Sequence, residues 1–193
     1  MTAQPLAKDW AFIRAAVESV QDYLLSSELY WPLFVQPKEK VTGNLLQLTL
    51  GNLLLTQARL NGFPWTENQL EELTRTNEKI FQLREKWKTA WKKKAVREIP
   101  ARFKLWQDYL DDLCDQPRVH AANYPFQVRW RTVLHLLEIE VAGSVVDEIG
   151  RMKDADQRLK KISQPANFVW DAEIASGFPK ETYWYLYLTV QGC

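Results

Sequence analysis

Arg131, His135 and Glu138 are spaced four and three residues apart. On a helix that spacing stacks them along one face. A carboxylate beside an imidazole can fix its tautomer, and a guanidinium beside both can bind an anion. The trio is therefore the candidate polar site of an enzyme or small-ligand binder built between helices. Its order is His-x-x-Glu, whereas di-iron carboxylate bundles use Glu-x-x-His from two helices with two further carboxylates. His120 is the only other histidine, too few for a histidine-rich metal site. An all-carboxylate site stays open. The preferred reading is a satisfied structural network, with no metal or other cofactor.

A second feature is charge. From Arg84 to Lys104 there are nine cations, among them Lys86, Lys88, Lys92, Lys93, Lys94 and Arg97, against Glu85 and Glu98 alone, a local surplus of seven. Trp87 and Trp91 lie one turn apart within it. Basic residues interleaved with aromatics can bind phosphate backbones or anionic surfaces. The same stretch also reads as the basic end of a long helix that starts with Glu67, Glu71 and Glu72, the polarity a helix dipole favours. That dipole-matched end is preferred, and nucleic acid is not the expected partner. The whole chain carries a formal charge of only +1, so no global field argues for an anionic partner.

Other chemistry is absent at the level of motif. Asp108, Asp111, Asp112 and Asp115 cluster, but without the glycine and bidentate glutamate of a calcium loop. Ser26, Ser27 and Ser144 have no nucleophile elbow around them. Neither a GxGxxG nor a P-loop sequence occurs. The two cysteines, Cys114 and Cys193, form no CxxC. They make no disulfide framework, which suits a reducing, cytoplasmic setting. No segment reads as a membrane span, because six polar residues interrupt the most apolar stretch, 45–60.

Nine tryptophans in 193 residues are the remaining signal. Trp10, Trp87, Trp91, Trp106 and Trp130 fall on apolar helical stripes, where each would bury a large area. Trp31, Trp65, Trp170 and Trp184, with Tyr183, lie in loops or the tail. These five residues are the candidates for an interaction surface, since Tyr and Trp are enriched where proteins touch. The competing and preferred reading packs the tail across the bundle.

The elements that must position these groups follow from apolar periodicity. A first helix spans about 6–29, with Trp10, Ile13, Val17, Val20 and Leu24 on one face. A second runs from Asn44, paired with Gln47 as a capping box, to Asn61. A third opens at the Thr66–Gln69 box and persists to about Glu98, with Leu70, Leu73, Ile80, Trp87 and Trp91 as its stripe. At 1.5 Å per residue it would reach roughly 50 Å, so one end must overhang, bend or find another partner. Pro100 suits the first turn of a fourth helix, closed by Pro117. A fifth begins at Pro125 and runs through Phe126, Trp130, Val133, Leu137, Val141, Val145 and Ile149 toward Ile162, unless Gly150 breaks it. In 183–190 aromatic and β-branched residues alternate, as in a strand that could pair with 168–171. A last helix from Pro179 is nearly as good a reading.

The expected fold class is thus mainly α. It is an up-and-down helical bundle of about five helices over 1–165, with an aromatic C-terminal arm over 166–193 that includes a short β-hairpin on the strand reading. With no complete catalytic constellation, a non-catalytic binding or interaction module is the expected function. A second copy of the chain or another protein is its expected partner. Binding of a small ligand at the 131/135/138 ladder, or of an anionic surface at 84–104, are the alternatives.

Overall fold

The stripe of Trp10, Ile13, Val20 and Leu24 is buried on α1 (Ala7–Leu25), with Val17 half-buried beside it. In this computed structural model residues 6–34, 46–141 and 146–192 are described. Among them the fold is mainly α, with two short antiparallel strand pairs. After α1 comes β1 (Trp31–Leu33), which pairs with β2 (Leu46–Leu48) so that Trp31 faces Leu48. The predicted Asn44 cap lies outside the described residues. The second helix, α2 (Leu50–Asn61), is instead capped by Thr49, whose hydroxyl accepts from the Asn52 N–H at 3.2 Å. The capping box at Thr66 is present, with the Gln69 carboxamide accepting from the Thr66 N–H at 3.4 Å. It opens α3 (Glu67–Lys86).

The long third helix divides differently from the expectation. It breaks at Trp87 (φ −115°, ψ 35°), and α4 (Lys88–Asp115) then runs straight through Pro100. An interior proline loses one N–H bond and costs about 3 kcal/mol. That local cost is outweighed because Trp91, Ile99, Phe103, Trp106 and Leu110 on both sides of Pro100 lie in one buried face. The interruption at Trp87 divides the long helix that the sequence reads as unbroken to Glu98. Leu70 and Phe126, both read as stripe residues, are exposed.

Beyond Pro117 the helix count exceeds five. Short turns α5 (Pro117–His120) and α6 (Tyr124–Gln127) precede α7 (Arg129–Val141) and α8 (Val146–Lys161). Gly150 lies inside α8 and does not break it. Charged residues of α8 reach outward to other helices. Asp156 pairs with Arg131, Arg158 with Asp111, and Arg151 donates to Gln107.

The tail is neither of its two predicted forms alone. A 3-10 turn (Trp184–Tyr187) leads into β4 (Leu188–Val190), which pairs with β3 (Ser163–Pro165), with Gln164 opposite Thr189. Residues 166–169 still run alongside, through Ala166 N–H to Tyr187 O and Val169 N–H to Leu186 O. The arm docks on the end of α2 by close backbone approach. A Cβ on Gly62 would meet Ile174 O at 2.6 Å, and one on Gly177 would meet Ala58 O at 2.7 Å, so both positions require glycine. Cys114 is disulfide-bonded, which removes the free-thiol basis of the reducing-compartment expectation. Cys193 lies outside the described residues. No described helix is long and apolar enough to cross a membrane.

Candidate functional site

Arg131, His135 and Glu138 feel one another's charge but make no hydrogen bond or ion pair with one another. Arg131, 7 % exposed, donates to Asp156 of α8 through Nε at 2.7 Å and Nη2 at 2.8 Å. Its guanidinium also lies 4.7 Å from the Tyr185 ring centre. Burial alone would lower its pKa, but the Asp156 bonds, with Tyr185 and Glu138 nearby, hold it above the usual arginine value. His135 meets Tyr183 edge-on at 5.1 Å. Burial, then the Arg131 charge, pushes its pKa below the ordinary imidazole value, against a weaker opposing pull from Asp156. Glu138 is half-buried. The arrangement ties α7 to α8 and to the C-terminal arm, and none of the three lines either of the two large cavities described below. Among the described residues no three His, Cys, Asp or Glu side chains group as a metal site would need.

A more deeply buried polar network lies elsewhere. Glu98 is 0 % exposed and Arg102 4 %. The carboxylate accepts from Arg102 Nε at 2.7 Å and from the Gly51 backbone N–H at 2.9 Å. Arg102 Nη2 donates to the Thr49 hydroxyl at 3.0 Å, and the guanidinium lies 4.8 Å from the Trp130 ring centre. Glu98 thus satisfies a first-turn amide of α2 and places negative charge where the helix dipole favours it. From sequence Glu98 reads only as a dilution of the basic run. Its i,i+4 spacing to Arg102 was the available signal, and one helix alone cannot say that the pair is buried.

The basic residues do come together. All six candidates, Lys86, Lys88, Lys92, Lys93, Lys94 and Arg97, line one cavity of about 930 Å³ at the α3–α4 elbow. Its apolar part is supplied by Leu24, Leu25, Trp87, Ala90 and Val96. Among the described residues no carboxylate lines it. Two of the six are committed to the end of α1. Lys94, 3 % exposed, donates to Glu28 O and to Ser26 Oγ at 3.3 Å and stands 4.1 Å from the Tyr23 ring centre. Burial and the neighbouring Arg97 lower its pKa, with Glu28 opposing. Arg97 donates to Ser27 O at 2.7 Å. Both cations thus satisfy backbone carbonyls where the α1 dipole is negative.

Lys86, Lys88, Lys92 and Lys93 are exposed and have no ion-pair partner among the described residues. Their place also corrects the dipole-matched expectation. Because the helix breaks at Trp87, Lys88 is the first residue of α4, and Lys92 and Lys93 follow one turn later, with no acidic residue in that first turn. Only Lys86 is at a helix C-terminus. Positive charge at the start of a helix opposes its dipole.

The aromatic candidates take separate positions. Trp65 packs edge-on to Trp10 at 5.3 Å and donates to Leu60 O at 2.7 Å. Tyr183 is buried against Phe178, with ring centres 5.1 Å apart. Trp184 meets Tyr185 and the Lys160 ammonium, and Trp31 is half-buried on β1. Trp170 donates to Pro125 O at 2.7 Å and walls a second cavity. No ring contact joins Trp31, Trp65, Trp170 and Trp184 to one another, and each has its own packing partners. No protein-family model matches the chain, and no curated protein or solved structure matches it.

Proposed function

We propose that the chain is a non-catalytic binding module whose working site is the elbow cavity, and that its ligand is a small amphiphilic anion. The ligand class is one phosphate, sulfate or carboxylate head on a short apolar tail. The observation that carries this reading is the lining itself: four exposed lysines with no ion-pair partner among the described residues, around an apolar wall, and no carboxylate among the described lining residues. The volume of about 930 Å³ falls within the range of small-ligand sites. Lysine ammonium groups bind anionic heads as point charges from several directions, without a fixed fork. Leu24, Leu25 and Val96 give the tail a surface that water wets poorly.

Titration calorimetry with octyl phosphate tests the reading. The expected result is saturable binding that weakens with added salt and falls at least about tenfold in Lys92→Glu/Lys93→Glu, a loss of about 1.4 kcal/mol or more. Octanol binding as tightly as octyl phosphate would refute the role of the lysines. Binding to anionic vesicles with none to octyl phosphate would replace the small ligand by a membrane surface.

A further inference from the structure

A second cavity, of about 480 Å³, opens between α1, α2 and the start of α7. It shares no lining residue with the elbow. Phe12, Phe126 and Trp170 supply aromatic walls, and Lys8, Arg59 and Arg129 supply positive charge. Asp9 is the one carboxylate among the described lining residues, and it is already engaged: Arg59 donates to it through Nε and Nη2, each at 3.2 Å to Oδ2.

Arg129 is different. Its guanidinium is clamped between two rings, 3.7 Å from the Phe126 centre and 4.1 Å from the Trp130 centre. Its Nε is buried with no hydrogen-bond partner, and it makes no ion pair with any described residue. Burial, and then the like charge of Arg102, lower its pKa to about 10, so it still carries its proton at neutral pH. A cation held rigid, half-desolvated, beside a like charge and without a counter-ion is set up to receive one. The cavity around it sets apolar walls beside charged and amide groups. Its amides, Gln47 and Asn52, lie on the wall toward β2 and the start of α2.

We infer that this cavity binds a small planar aromatic anion, its carboxylate or phosphate on Arg129 and its ring against the Phe126 and Trp170 walls. Stacking surfaces select for the flat ring. The forked guanidinium selects for an oxyanion with two parallel acceptors.

Heteronuclear NMR of the full chain tests this with benzoate and phenyl phosphate as probes and benzyl alcohol as the neutral control. Saturable movement of the Trp170 and Trp130 indole N–H signals is expected with one or both anions. Binding of benzyl alcohol should be at least about tenfold weaker, and Arg129→Leu should weaken the anions by about the same factor. Arg129→Lys, which keeps charge without the fork, should fall between. If the Leu variant does not fold, the indole signals of the native chain decide alone. Movement confined to other tryptophans, no saturable movement, or equal affinity for benzyl alcohol would each overturn the assignment. So would an Arg129→Leu chain that folds and binds benzoate as before. Loss of octyl phosphate binding in Lys92→Glu/Lys93→Glu leaves this site untouched, so the two proposals fail separately.

Discussion

Replacing Glu98 by leucine should be among the most damaging single changes in the chain. The carboxylate is 0 % exposed, accepts from Arg102 Nε at 2.7 Å and from the Gly51 N–H at 2.9 Å, and has Arg102 Nη2 in ion-pair contact at 2.6 Å. Its removal leaves a 4 % exposed guanidinium with only the Thr49 hydroxyl and the Trp130 and Tyr30 rings around it. Breaking such a buried pair costs about 3–5 kcal/mol, far more than the net worth of the pair, because the orphaned charge stays buried. For a domain of this length that corresponds to a Tm lower by about 6–20 °C. Arg102→Met should cost a similar amount. The double variant Glu98→Leu/Arg102→Met should lose less than the sum of the singles by about 1–3 kcal/mol, since neither partner is then left alone. Urea denaturation of the four proteins measures this directly. A Glu98→Leu chain destabilised by under about 1 kcal/mol, or strict additivity in the cycle, would refute the view that this pair is a coupled, desolvated unit.

Gly51 is fixed by the same network. A Cβ there would meet Val133 Cγ1 at 2.4 Å and Glu98 Oε1 at 2.8 Å, so Gly51→Ala should destabilise by about 1–3 kcal/mol despite its better helix propensity. Val133→Ala in the same chain should recover part of that loss, as read by thermal denaturation; a stabilised Gly51→Ala chain would contradict the packing. His135, packed on Tyr183 and near Arg131 and Asp156, has a folded-state pKa below its unfolded value. The unfolded chain therefore takes up the proton first as pH falls through about 6.5, and the His135 contribution to stability is lost below that pH. Stability should rise with pH between about 5 and 7 more steeply in the native chain than in His135→Gln. Equal slopes in urea midpoints across that window would show that His135 is not held neutral.

Periodicity was enough to find α1, α3 and the buried faces of α4 and α7, because each carries its apolar residues on one side. It misplaced the break between α3 and α4. Pro100 is the stronger local signal, yet the continuous buried face from Trp91 to Leu113 overrides it, and nothing in the type of Trp87 marks a hinge. The six basic residues were legible as a run. That they ring one cavity was not, since Leu24 and Leu25 come from α1, some sixty residues earlier. Arg129 carried no signal at all, because its lack of a partner is a property of the tertiary surroundings. The ladder of Arg131, His135 and Glu138 was correctly read as one helix face, but the partner that matters, Asp156, lies on another helix.

Charge pairing across the fold gives the elbow its meaning. Three arginines find carboxylates on other helices: Arg131 with Asp156, Arg59 with Asp9, Arg84 with Glu140. With 25 cations against 24 carboxylates, the chain has enough acid to pair its lysines as well. Instead Lys88 and Lys92, and likewise Lys93 and Arg97, sit four residues apart on one helix, where like charges repel. Lys88 also opens α4 against its dipole. Stability alone would disperse these charges or place a glutamate among them. A negative group entering the space they share would relieve that repulsion further than water and salt alone. That relief ties the proposed anion to the geometry: neutralising any one of Lys88, Lys92 or Lys93 should stabilise the unliganded chain while weakening its hold on octyl phosphate. A substitution that weakened both would place the lysines in the scaffold and not in the site.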